Sequence, residues 1–190
     1  YPHSTDEAIA LELIRIRTDL APTEENIHRV RDAFAERIDA ASRRRPEWFR
    51  PVPGAPVIFE AMRSSGWAVA IATGGWRRTA RLKLEAAGIP HVDVPAAHAD
   101  DAHPREKIIE IAMTRARESS GGTFDRGVYV GDGRWDVLAT DRMGLGFVGI
   151  AEGDRADLLR SVGATTVLPD YRDFSAFLEA VERLATPLAT

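Results

Sequence analysis

From residue 57 to residue 184, short apolar runs alternate with segments whose apolar residues recur at helical spacing, and this alternation limits the fold more than any other feature. Strands are predicted over 68–72, 92–96, 128–130, 147–150 and 166–168. Helices are predicted over 57–64, 76–87, 105–117, 135–143, 155–161 and 174–184. Strands this short and apolar, each followed by a helix, predict a parallel sheet covered on both faces by right-handed crossovers. The expected fold class is therefore α/β, a doubly wound parallel sheet.

Ahead of the alternation lie two helical patterns. One covers 6–19, with Ile9, Leu13 and Ile16 on one face; the other covers 23–41, with Ile27, Val30, Phe34 and Ile38. Pro22-Thr23-Glu24-Glu25 supplies a cap and an acidic first turn for the second. Between residues 43 and 56 the composition turns to Arg and Pro, which breaks helix and strand alike and marks a linker, with a boundary near residue 50. The run Arg43 to Arg45 reads as a solvated helix end, and Trp48 and Phe49 as packing residues.

A chain of 190 residues buries one main core with a small appended domain, not two full-sized domains. Its net charge of −4 supplies no basic field of the kind that draws nucleic acid. The absence of cysteine excludes disulfides, thiolate catalysis and cysteine-ligated zinc, and fits a reducing compartment. No apolar run approaches the roughly 20 residues of a membrane span, and the N-terminus has no signal-peptide layout. The expectations are a cytoplasmic protein with a small-molecule ligand and neither nucleic acid nor membrane as partner; oligomeric state is not legible.

In a parallel α/β sheet, ligands bind outside the carboxyl ends of the strands. The first such end reads Thr73-Gly74-Gly75-Trp76, a hydroxyl and two glycines ahead of a helix whose free N–H groups can receive an anion. It is a candidate phosphate cradle, Thr73 with Gly74 and Gly75; an ordinary strand-to-helix turn with Thr73 as cap accounts for it equally well. Neither G-x-G-x-x-G nor G-x-x-x-x-G-K-[ST] occurs, so no dinucleotide or P-loop fingerprint is present.

A second end reads Gly131-Asp132-Gly133-Arg134-Trp135-Asp136. With a helix opening at Trp135, Asp132 and Asp136 can both serve a hard cation such as Mg²⁺ beside an anionic substrate. The alternative is an Asp-Gly turn followed by a helix-capping Asp136. Between the two ends, Arg105 and Lys107 compete as the cation that balances phosphoryl charge at a helix start. His98 and His103 lack convergent partners, and Asp100 and Asp101 suit turn or cap roles.

These segments, in this order, resemble the haloacid dehalogenase superfamily over about residues 51–185. Ile71-Ala72-Thr73-Gly74 looks like its second motif, which binds the transferring phosphoryl group, and Gly131 to Asp136 like its fourth, G-D-x-x-x-D, which holds Mg²⁺. Arg105 looks like an Arg that replaces the third-motif Lys in some members; His103-Pro104 stands where the family often has Lys-Pro. The resemblance implies a Rossmann-like core over 51–190, a small helical cap over 1–50 that closes over the site and selects substrate, and Mg²⁺ as cofactor.

The family's first motif, D-x-D-x-T/V, supplies the Asp nucleophile, and it occurs nowhere in these 190 residues. The expectation is a Mg²⁺-dependent phosphohydrolase of a small phosphorylated metabolite, acting through an aspartyl-phosphate on a residue outside this sequence. A phosphonate hydrolase or sugar phosphomutase of the same superfamily is the alternative enzyme. If the protein starts at Tyr1, a catalytically silent binding protein is the alternative.

Overall fold

The computed structural model describes residues 5–188; Tyr1 to Ser4, the start of the expected cap, lie outside the described residues. Two compact units form, one from the chain up to Pro51 together with Val69–Ala116, the other from Val52–Ala68 together with the chain from Arg117 onward.

In the first unit, α1 (Asp6–Arg17) starts at Thr5, a fully buried cap whose hydroxyl accepts the Ala8 N–H at 3.3 Å. Acidic Asp6 and Glu7 at its start and basic Arg15 and Arg17 at its end complement the helix dipole. Its buried face is not the one expected from Leu13 and Ile16, which are 40% and 53% exposed; Ala10 and Ile14 are buried instead. The reason lies at the start of the helix. Asp6 bonds Trp76, and residues 6, 10 and 14 share one stripe at a spacing of four, so anchoring Asp6 turns Ala10 and Ile14 inward. They pack with Ile27, Trp76 and Ala99, with Leu11 and Phe34 alongside.

Helix α2 (Glu24–Arg44) is capped by Thr23, whose hydroxyl accepts the Asn26 N–H at 3.3 Å, as its sequence predicts. The linker after it contains a 3₁₀ turn, Pro46–Phe49. Strand β1 (Ile71–Ala72) pairs in parallel with β2 (Ala96–Ala97), and α4 (Arg77–Ala86) follows β1; the intervening number, α3, belongs to the second unit, at Ala55–Ser64. The strand expected over 92–96 shrinks to its last residue plus Ala97. Pro90 stands just before that stretch and Pro95 within it, both lacking the N–H a ladder needs, and Val92 is 85% exposed. Helix α5 (Arg105–Ser120) buries Ile108 and Ala112 against Ala97.

In the second unit, β3 (Arg126–Gly131), β4 (Gly146–Ile150) and β5 (Val167–Leu168) run parallel, with α6 (Arg134–Met143) and α7 (Gly153–Ser161) as connections. Val137, Phe147, Leu159 and Ala164 form the core beside them. Helix α8 (Phe174–Leu184) has the bounds the sequence predicts, capped by Asp173, which accepts the Ala176 N–H at 3.0 Å. A final strand, β6 (Thr186–Pro187), was not expected: it pairs antiparallel with β3, giving the order β5-β4-β3-β6. The fold is α/β with parallel sheets, as the alternation predicts, with this one antiparallel edge.

Candidate active-site elements

The loop after β1 is built by backbone bonds on both sides. Thr73 N–H donates to Ala97 O at 3.0 Å, and Ala99 N–H donates to Gly75 O at 3.1 Å, so the neighbouring strand end holds it open toward α4. The Thr73 hydroxyl accepts the Gly75 N–H at 3.1 Å. Neither Gly74 nor Gly75 has a left-handed φ, so the glycines are not required by backbone conformation. Among the described residues the Gly74 N–H makes no hydrogen bond. A hydroxyl beside an open amide is what one phosphoryl oxygen needs from a cradle.

The next two amides are already filled by carboxylates. Trp76 N–H donates to Asp6 Oδ2 at 3.0 Å, and Arg77 N–H donates to Asp100 Oδ2 at 2.6 Å. Asp100 thus caps a helix, but α4 rather than the helix that follows it in sequence. Asp101 accepts two bonds from the Arg115 guanidinium, at 2.9 and 2.8 Å, and further bonds from Arg77 at 3.2 Å and the His98 N–H at 2.9 Å. The Arg115 bonds lower its pKa to about 2. His98 is buried, and that burial, with the Arg77 charge, holds its imidazole below the usual range. No local pattern announces Arg115, which reaches back along α5 to Asp101 fourteen residues earlier.

Of the two candidate cations, Arg105 is the half-buried first residue of α5. Lys107 is exposed and its Nζ pairs with Glu110 at 2.6 Å on the same helix.

In the second unit, the loop after β3 carries Asp132, and the first turn of α6 carries Asp136. The Asp132 carboxylate is 64% exposed, with Arg155 at 3.7 Å. Asp136 is 4% exposed; its Oδ2 accepts the Gly133 N–H at 3.0 Å, and the Tyr129 hydroxyl lies 3.4 Å from its Oδ1. The helix-capping role of Asp136 is therefore present. A Cβ at Gly131 would stand 2.8 Å from Asp136 Oδ2 and 2.9 Å from the Tyr129 ring, so glycine there makes room for the buried carboxylate. Tyr171 is pushed up to about 12 by burial, with the Asp132 charge adding to the effect.

Among the described residues no three His, Asp or Glu side chains gather into a metal cluster. Mg²⁺ does not require one: it keeps several waters and is bound by one or two carboxylates plus substrate phosphate. Asp132, in the loop after β3, is open to solvent, and Asp136, in the first turn of α6, is buried. No helix among the described residues is long and apolar enough to cross a membrane.

A sequence model of haloacid dehalogenase-like hydrolases matches residues 7–144. Among solved structures, a hydrolase from Pseudomonas syringae matches with a TM-score of 0.68 at 21% identity, over 92% of this chain and 78% of that one. A protein described as a β-phosphoglucomutase, from Bacteroides vulgatus, matches with a TM-score of 0.63 at 18% identity, over 95% of this chain and 71% of that one. No curated protein sequence matches. At these identities the solved structures show the shared fold, and the sequence model, which spans well over half of the chain, shows the family: this protein belongs to the haloacid dehalogenase-like hydrolases.

Proposed function

We propose that the protein is a Mg²⁺-dependent phosphohydrolase acting on a small phosphorylated metabolite. The observation that carries this reading is the turn from β3 into α6 at the carboxyl end of a parallel strand, with a solvent-open Asp132 in the loop and a buried, anchored Asp136 on the first turn of the helix. Asp132 and Asp136 would hold Mg²⁺, which supplies positive charge to the phosphoryl oxygens during in-line transfer.

The remaining roles fall to the chain's own groups. The Thr73 hydroxyl and the Gly74 amide hold phosphoryl oxygens, with Gly75 continuing the cradle. Arg105, half-buried at the start of α5, or Lys107, two residues further on and exposed, balances charge. The transient phosphoryl acceptor is an aspartate outside these 190 residues, which makes the reaction a covalent displacement in two steps. Residues 1–50 serve as the cap that selects substrate and excludes water until hydrolysis. A negative overall charge and the absence of cysteine accord with a small-molecule enzyme of the cytoplasm rather than a nucleic-acid partner.

The test is phosphate release from p-nitrophenyl phosphate and a panel of phosphorylated metabolites, using protein made from the complete reading frame, with Mg²⁺ and with chelator. Turnover is expected with Mg²⁺ alone, and Asp132→Asn is expected to lower it roughly 100-fold. Equal hydrolysis with chelator would sink the mechanism.

A further inference from the structure

Asp6 touches the cradle loop at two points. Its backbone N–H donates to Gly74 O at 2.7 Å, and its carboxylate Oδ2 accepts the Trp76 N–H at 3.0 Å, with the Thr79 hydroxyl 3.4 Å from the same oxygen. The neighbouring Glu7 accepts the Trp76 indole N–H at 3.0 Å. Thr5, which caps α1 here, is fully buried, and Trp76 is 2% exposed, so both ends of the contact are fixed in the core. Asp100 occupies the following amide, that of Arg77, and its other oxygen lies 3.6 Å from Arg31.

The first N–H groups of a helix are its strongest anion donors, because they lack intrahelical partners and sit at the positive end of the dipole. In α4 two of them are filled by the chain's own carboxylates, whose charges also oppose the entry of a second anion. The two further amides of that turn, those of Arg78 and Thr79, lie beyond these two carboxylates; ahead of them, in the loop itself, are the Thr73 hydroxyl and the Gly74 amide. We infer that Asp6 is a positioning residue of the cradle: it fixes the loop 73–76 from α1 and closes the start of α4 to anions, so that a phosphoryl group is confined to Thr73 and Gly74. This inference rests on the phosphate-binding reading of the loop.

Backbone amide NMR during titration with inorganic phosphate tests it on the protein as it stands. In the wild type, the Gly74 amide shifts with phosphate while the Trp76 and Arg77 amides stay in place. In Asp6→Ala the Trp76 amide joins the response. Asp6→Asn keeps an acceptor for Trp76 but loses the charge, so Trp76 stays silent and phosphate binds at Gly74 roughly threefold more tightly. A Trp76 amide that responds in the wild type, or phosphate binding in Asp6→Asn no tighter than in the wild type, overturns the positioning role while leaving the cradle intact. If neither Thr73 nor Gly74 responds in any of the three proteins, the phosphate-binding reading fails, and the role of Asp6 falls with it.

Discussion

Asp101 shows how much a single carboxylate can depend on a partner that sequence spacing does not reveal. Its side chain is 11% exposed and held by Arg115, Arg77 and a backbone amide, and its pKa of about 2 lies below the ordinary 3.8. An acid whose folded pKa is depressed favours folding above its unfolded pKa, and that contribution is lost as pH falls toward the folded value. Resistance to urea is therefore expected to fall between pH 4 and pH 2. Asp101→Asn should cost about 2 kcal/mol at neutral pH and flatten that acid limb; an unchanged pH profile in the variant would show that the Arg115 pair contributes nothing to folding. The residue types of the candidate site, Thr73, Asp132 and Asp136, were legible because glycines and strand ends mark them. The carboxylates that fill the α4 amides were not, since Asp6 and Asp100 meet that helix from 70 and 23 residues away.

Among the elements, helices with strong local signals kept their predicted bounds, as α8 does behind its Asp173 cap. Strands of two residues did not, because β1, β2 and β5 are defined by a neighbour's backbone rather than by their own apolar pattern. The rotation of α1 is not legible in its sequence for a related reason: its apolar residues surround much of the helix, and the Asp6 contact, not the stripe of Ile9, Leu13 and Ile16, decides which side is buried. The antiparallel β6 carries a Pro and a Thr with no alternation to announce it. Its position depends on Gly146, whose N–H donates to the Thr186 hydroxyl at 3.1 Å and where a Cβ would stand 1.8 Å from Leu184 O. Backbone cannot yield to such an overlap as a flexible side chain can. Gly146→Ala is expected to cost on the order of 3 kcal/mol or more, read as a lowered denaturant midpoint; a midpoint within 0.5 M of wild type, about 1 kcal/mol in urea, would show that β6 and the end of α8 move aside freely.

For the whole molecule, the alternation of strands and helices was sufficient to place the chain in the α/β class, and the family match over residues 7–144 places it among the haloacid dehalogenase-like hydrolases. The compact units follow contacts rather than chain order, since the N-terminal helices group with Val69–Ala116 while Val52–Ala68 groups with the C-terminal half. Sequence order alone gives no sign of that exchange, which depends on long-range packing such as Ala10 and Ile14 against Trp76. The central claim is that the Asp132 and Asp136 loop carries a divalent cation, and paramagnetic broadening by Mn²⁺, a substitute for Mg²⁺ at oxygen-rich sites, tests it most directly. The account predicts that substoichiometric Mn²⁺ broadens the amide signals of Gly131 to Asp136 selectively, that excess Mg²⁺ restores them, and that Asp132→Asn abolishes the effect. Broadening centred elsewhere, or undiminished in Asp132→Asn, would contradict it.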